Sequence, residues 1–234
     1  MKQIIAMGGG GFSMEPDNLL LDHYILNQSL KPNPRICFVS TASGDQDGYI
    51  QRFYHTFHSM ACKPDHLALF DPHFKDLEDF VMSQDIFYVG GGSTRNMLVL
   101  WKEWGLDLLF KRAYENGTVL AGLSAGANCW FEEVLTDPLN APLYKINGLG
   151  FIQGSICPHY DGEEKRRPSF HDLVGSGSMM PGFGMEDGAA VHFKDGQVFK
   201  CISSRPNAKV YSVFENTGRI HEEPLQMMYL GGLS

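Results

Sequence analysis

Basic residues are scarce in this chain and never gather into a surface. Nineteen Lys and Arg face twenty-seven Asp and Glu, a net charge of −8, and the longest basic run is Lys165-Arg166-Arg167. Nucleic acids and anionic membranes are held by basic patches or stripes, so neither is an expected partner. Cysteine is also sparse: Cys37, Cys62, Cys129, Cys157 and Cys201 are odd in number, widely spaced and never in a C-x-x-C pair. That excludes a disulfide framework or zinc knuckle and fits a reducing, cytoplasmic compartment. No apolar run approaches the length of a membrane span. The first apolar segment, Ile4 to Met7, is too short for a signal h-region and runs into four glycines instead of a cleavage site. Internal repeats and low-complexity linkers are lacking as well, so residues 1–234 are expected to form a single α/β domain. Two nucleotide signatures are missing. Neither Gly8 to Gly11 nor Gly90 to Gly92 completes G-x-G-x-x-G, and no G-K-[ST] occurs.

What is present is a sizeable apolar fraction, 43%, arranged in a repeating order. Short apolar runs alternate with stretches of helical periodicity. Ile4 to Met7 precedes Pro16 to Leu30, Ile36 to Ser40 precedes Tyr49 to Met60, and Leu67 to Phe70 precedes Phe74 to Met82. Ile86 to Val89 precedes Thr94 to Trp101 and Leu106 to Asn116, and Val119 to Leu123 precedes a helix expected over Ala125 to Glu132. Five strand-helix units in a row predict a three-layer, doubly wound, mostly parallel sheet. Beyond residue 140 the runs shorten: Gly150 to Ile156, Ala189 to Phe193, Val198 to Ile202 and Lys209 to Phe214 read as strands that finish the sheet or form a hairpin, with Asp195-Gly196 as a turn. Open parallel sheets place their ligands at loops after the strand ends.

At one such end stands Gly122-Leu123-Ser124-Ala125-Gly126, a G-x-S-x-G pattern between a strand and a helix. A nucleophile on so tight a turn needs neighbours without bulk two residues to either side. The alternative reading is a plain tight turn. A second cluster, Gly90-Gly91-Gly92-Ser93-Thr94, follows the strand Ile86 to Val89. If that strand neighbours the one leading to Ser124, the Gly92 and Ala125 N–H groups can form an oxyanion hole; otherwise the cluster reads as a phosphate-binding nest. A serine nucleophile needs a base, and His159, at the end of the run Phe151 to Ile156, is the best placed of nine histidines, at what is expected to be the C-terminal edge of the sheet. His55 and His58, three apart on a helix, lack a third metal ligand nearby and read as surface or packing residues. His171 reads as solvated, and Cys129 and Cys157 as small buried residues.

In order and spacing, Val89 to Thr94, Gly122 to Asn128, Pro158-His159-Tyr160 and Gly184 to Ala190 resemble the dipeptidase E or aspartyl dipeptidase family, peptidase family S51, to which cyanophycinases are related. The resemblance spans roughly residues 3 to 200, and its sharpest element is Ser-Ala-Gly-Ala-Asn at Ser124 to Asn128. It implies a fold similar to class I glutamine amidotransferases and a serine-type peptidase acting on small peptides. Its catalytic residues would be Ser124, His159 and an acid near residue 187, in that chain order, with Gly92 and Ala125 as oxyanion hole, no metal or organic cofactor, and a homodimeric assembly. The acid immediately before Gly188 is Asp187. Its neighbour Glu186 is the alternative, because consecutive residues in extended backbone point to opposite sides. Under an α/β-hydrolase order of residues the acid would be Asp137, although Asp137-Pro138 reads more simply as a turn. An acidic substrate group would be anchored by Arg166 and Arg167, the one close pair of guanidinium groups after His159. The rival readings are a cyanophycinase-like hydrolase of β-linked Asp-Arg and a non-catalytic small-molecule binding domain.

Overall fold

The structure is a computed structural model and describes residues 1–137 and 142–232. In the first half β1 (Gln3–Met7) precedes α1 (Leu20–Leu26), β2 (Arg35–Val39) precedes α2 (Asp47–Phe57), and β3 (Lys63–Leu67) precedes α3 (Leu77–Met82). Then β4 (Ile86–Val89) leads to α4 (Thr94–Glu103) and α5 (Leu106–Glu115), and β5 (Val119–Leu123) runs directly into α6 (Ala125–Asn128). The five strands lie parallel in the order β1-β5-β4-β2-β3. Strands β1, β4 and β5 are buried along their whole length, which is why they read as unbroken apolar runs and not as alternating ones.

Alternate residues of each strand enter different layers. Ile4, Ala6, Phe87, Val89 and Leu120 pack with Trp101 of α4 and Phe110 of α5. Ile5, Met7, Ile86, Tyr88 and Ala121 pack on the opposite side with Leu21 of α1 and Phe53 and Phe57 of α2. Helices thus cover both faces of a mostly parallel sheet, an α/β fold of three layers. Phe12, just past the four glycines, sits edge-on to Phe38, Phe53, Phe57 and Tyr88 at centroid distances of 5.3–5.7 Å. Burying that ring is worth about 2–3 kcal/mol, which offsets much of the entropic cost of fixing the glycine segment before it.

The second half holds β6 (Phe131–Thr136), β7 (Tyr144–Asn147), β8 (Ile152–Cys157), α7 (Arg166–Gly175), β9 (Gly182–Met185), β10 (Ala189–Lys194), β11 (Gln197–Ser203), β12 (Val210–Asn216), β13 (Arg219–Pro224) and β14 (Met227–Tyr229). Strands β10, β11 and β14 extend the first sheet beyond β1, with β10 antiparallel to it. Asp195 and Gly196, both at positive φ (48° and 81°), close the β10–β11 hairpin, as a type I′ turn requires.

Three expectations need correction. The strand read at Leu67 to Phe70 lies at Lys63–Leu67, because the N–H groups of Leu69 and Phe70 donate to the Asp45 carboxylate instead of to a neighbouring strand. The remaining strands of the second half do not finish the first sheet but build a second one of six strands, β13-β12-β9-β8-β6-β7. The strand leading to His159 therefore belongs to this second sheet and not to the edge of the first. The helix expected to reach Glu132 stops at Asn128, because Trp130 and Phe131 turn into β6, where Phe131 pairs with Ile152 of β8. Both aromatic rings are fully buried in the core that joins the two sheets; tertiary packing overrides the local helical pattern.

Candidate active site

Ser124 occupies the single residue between β5 and α6, at φ 54° and ψ −115°. For a residue with a Cβ this is a strained backbone, costing on the order of 1–3 kcal/mol, of the kind that persists where the surroundings dictate it. Those surroundings are the flanking glycines. A Cβ on Gly122 would lie 2.3 Å from the Gly126 carbonyl oxygen, and one on Gly126 would lie 2.1 Å from that of Val89. The carbonyl of Ser124 accepts from the N–H groups of Ala127 and Asn128, and its own N–H donates to Met7 at 3.2 Å. The side chain stays partly accessible.

Strands β4 and β5 are neighbours, with Val89 opposite Gly122, so the loop Gly90–Gly92 passes beside the serine. A Cβ on Gly91 would lie 3.4 Å from Ser124 Cβ and 3.8 Å from Oγ. Gly90 N–H donates to Val39, Gly91 N–H to the Tyr49 hydroxyl and Ser93 N–H to Ala42. Among the described residues no acceptor meets the N–H of Gly92 or of Ala125. Gly92 stands at φ 139°, where any Cβ would strike the Ala42 carbonyl, so this loop conformation is open to glycine alone.

His159 follows β8 at φ 51°, and its Nδ1 lies 2.7 Å from Asp187 Oδ1, with both side chains 14% exposed. This contact suits an imidazole that donates from Nδ1 to the carboxylate, the tautomer that leaves the Nε2 lone pair free. Asp187 is wedged tightly. A Cβ on Gly9 would fall 2.1 Å from its Oδ1 and one on Gly162 would fall 2.6 Å from its Oδ2, while its backbone N–H donates to Asp161. Glu186 points elsewhere, accepting from Lys209 N–H and the Tyr211 hydroxyl. Asp137 is exposed just past the end of β6; the turn read at Asp137-Pro138 falls in part on Pro138, which lies outside the described residues.

Sequence reasoning missed what assembles these groups. Three consecutive carbonyls at the end of β1 each hold one of them: Met7 accepts from Ser124 N–H, Gly8 from His159 N–H at 3.1 Å, and Gly9 from Gly188 N–H at 3.1 Å, directly beside Asp187. Gly9 and Asp187 also form an isolated parallel bridge. The signal was the run of four glycines after Met7, which let backbones from two sheets approach one strand end.

Arg166 and Arg167 are both engaged within the protein. Arg166 is buried, pairing with Glu163 at 2.7 Å and donating to the Leu135 carbonyl. Arg167 forms a two-pronged pair with Glu222 and lies over the rings of Tyr160 and Tyr211. His171 is not simply solvated, since its Nε2 is 2.8 Å from Glu222. A further guanidinium, Arg205, packs against Gly188 next to Asp187 and pairs with Glu15 at 2.7 Å. Beneath the glycine segment Asp22 is fully buried, accepting from Phe12 N–H, and burial raises its carboxyl to about 7. Cys129 and Cys157 are buried and their thiols pushed up by it, which suits packing and not nucleophilic attack.

An accessible serine on a strained turn, an imidazole oriented by a carboxylate, and two unpaired N–H groups are the parts of acyl transfer. The family model for peptidase family S51 matches residues 4–201. The chain belongs to peptidase family S51. It is a hydrolase acting as a peptidase, and the serine type is characteristic of this family. The S51 chain is 59% identical over 231 residues to the uncharacterized peptidase YgaJ of Bacillus subtilis (strain 168), covering 99% of this chain and all of that one. Its fold is shared with a peptidase from an acI-B1 Actinobacterium (TM-score 0.66, 17% identity, 97% of this chain and 95% of that one). It is shared also with a Listeria monocytogenes EGD-e protein named for peptidase E (TM-score 0.63, 16% identity, 85% of this chain and 97% of that one). No helix among the described residues is long and apolar enough to cross a membrane.

Proposed function

We propose that this S51 peptidase is a cytoplasmic, dipeptidase-like enzyme that cleaves small peptides through Ser124, His159 and Asp187 and a covalent acyl-enzyme. Ser124 Oγ attacks the scissile carbonyl while His159 Nε2 takes its proton, and Asp187, remaining ionised, stabilises the imidazolium. The N–H groups of Gly92 and Ala125 receive the oxyanion, and His159 then protonates the leaving amine. Water repeats the sequence on the ester. No step calls on a metal or organic cofactor.

The observation that carries this reading is the set of three adjacent carbonyls, Met7, Gly8 and Gly9, that fix the backbones at Ser124, His159 and Asp187. Binding of a passive ligand would not require those three segments to meet. A fluorophosphonate probe tests it: Ser124 is labelled in the wild type and labelling is absent from Ser124→Ala. An unlabelled wild type would return the chain to the class of binding modules.

An acidic substrate group is assigned to Arg166 and Arg167, each of which would have to exchange a present partner for the substrate. We expect Arg167→Ala to raise KM for acidic dipeptides at least tenfold more than for neutral ones. Equal effects on both would remove the pair from substrate recognition. Hydrolysis of β-linked Asp-Arg in the same panel would identify the cyanophycinase-like alternative. The enzyme is assigned a homodimeric state, testable as twice the 26.1 kDa chain mass by light scattering.

A further inference from the structure

At the far edge of the first sheet, three strands from Ser124 in the order β5-β4-β2-β3, Asp65 and His66 of β3 meet His73 from the segment that follows. One ligand atom from each, a carboxylate oxygen and two ring nitrogens, all lie within 4.8 Å of one another. Asp65 Oδ1 is 3.4 Å from His73 Nε2. Nitrogen and oxygen ligands about 2.0–2.1 Å from a tetrahedral zinc ion stand about 3.3 Å apart, so this pair is already at ligand separation.

The groups are also oriented. The backbone N–H of His66 donates to Asp65 Oδ1 at 2.9 Å, which holds the same oxygen that faces His73. The Tyr54 hydroxyl of α2 lies 2.9 Å from His66 Nδ1, and a fixed partner on one ring nitrogen is what sets the tautomer of a metal-bound histidine. The two imidazoles are stacked at 4.5 Å and 26°, and Phe80 meets His73 edge-on at 5.7 Å. Two imidazoles with one carboxylate suit borderline metals such as zinc, whereas calcium and magnesium want oxygen alone.

We propose that Asp65, His66 and His73 form a binding site for a divalent transition-metal ion of the zinc class, with the fourth position left to water. The bound ion ties the edge strand β3 to the segment leading into α3. It lies about 14 Å of sheet away from β5, taking about 4.8 Å per strand, and has no part in peptide cleavage.

Isothermal titration of the metal-free full-length protein with Zn²⁺ tests the site, with Co²⁺ absorption as a second readout. One equivalent should bind at micromolar affinity, and Co²⁺ should give the intense visible bands of a four-coordinate ion. His73→Ala, an exposed position, should weaken binding at least tenfold, as should Asp65→Asn, while His55→Ala leaves it unchanged. Peptide hydrolysis by His73→Ala should stay within twofold of wild type, so failure here is separate from failure of the catalytic assignment. Zinc affinity unaltered in His73→Ala and Asp65→Asn, or no binding by the wild type at 1 mM Zn²⁺, would overturn the proposal and leave a simple histidine-carboxylate contact.

Discussion

Asp187 and Glu186 are adjacent in the chain, yet one carboxylate meets His159 and the other meets Lys209 and Tyr211. Replacing an acid that orients the imidazole by its amide should lower kcat by roughly 10⁴ with KM little changed. Asp187→Asn is expected to do so. Glu186→Gln should keep kcat within a fewfold and cost about 1 kcal/mol of stability through its weakened contacts. Steady-state kinetics on both variants, with a denaturant midpoint for each, decides between them; a large kcat loss confined to Glu186→Gln would reverse the assignment. Ser124→Ala should fold normally and lose at least about 10⁴ in rate, since the turn is held by Gly122 and Gly126 and not by the hydroxyl. That turn was legible in the sequence because its glycines have one steric purpose. The engagement of Arg166 and Arg167 was not, since a charged pair in a sequence carries no sign of its partners, and Glu222 lies 55 residues away from Arg167.

Among the elements, the end of β1 does the assembling, and its glycines are open to test. Gly9→Ala places a methyl group within 2.1 Å of Asp187 Oδ1, so the carboxylate or the strand end must move. We expect at least a hundredfold loss of kcat, because a displacement of about 1 Å costs that much in a catalytic arrangement. Gly48→Ala is the control: it lies in α2 with no atom nearer than 3.8 Å to the added carbon, and should stabilise by about 0.5–1 kcal/mol. Comparable activity in the two variants would deny β1 its positioning role. Strands β4 and β5 were readable to the residue as short apolar runs, β4 ending at the Gly90–Gly92 cluster and β5 at the turn that carries Ser124. The destination of β8 was not, because a short apolar run shows that a strand is buried but not which sheet buries it. The early end of α6 was hidden for a similar reason, since Trp130 and Phe131 suit a helix face and a strand equally well until their neighbours are known.

At the scale of the whole molecule, stability should depend on pH through Asp22. Its carboxyl is raised to about 7 in the folded chain by burial, against about 3.9 when unfolded. Between these values the folded state holds a proton that the unfolded state has lost, so stability falls as pH rises from about 4 to about 7 and then levels off. The full window is worth at most about 4 kcal/mol. Asp22→Asn keeps an acceptor for Phe12 N–H and cannot ionise, so its denaturant midpoint should change less between pH 5 and pH 8 than that of the wild type. Parallel changes in both proteins would show that Asp22 is not the group responsible. The alternation of strands and helices made the first sheet legible in outline. The second sheet was not, because its strands pair across separations that no local pattern records.

Strand β1 precedes every other strand among the described residues, and it is also the one on which the proposed catalytic groups are hung. β1 pairs with β5 more than 110 residues later and with β10 more than 180 residues later, and Gly9 reaches its bridge partner only at Asp187. On the proposed assignment a nascent or partly digested chain has no working site, since Ser124, His159 and Asp187 come together only when the last of these strands has closed on β1. For an enzyme that cuts peptide bonds this works as a safeguard: cleaving power arrives together with the completed fold, at the stage when the chain's own backbone has become hard to cut.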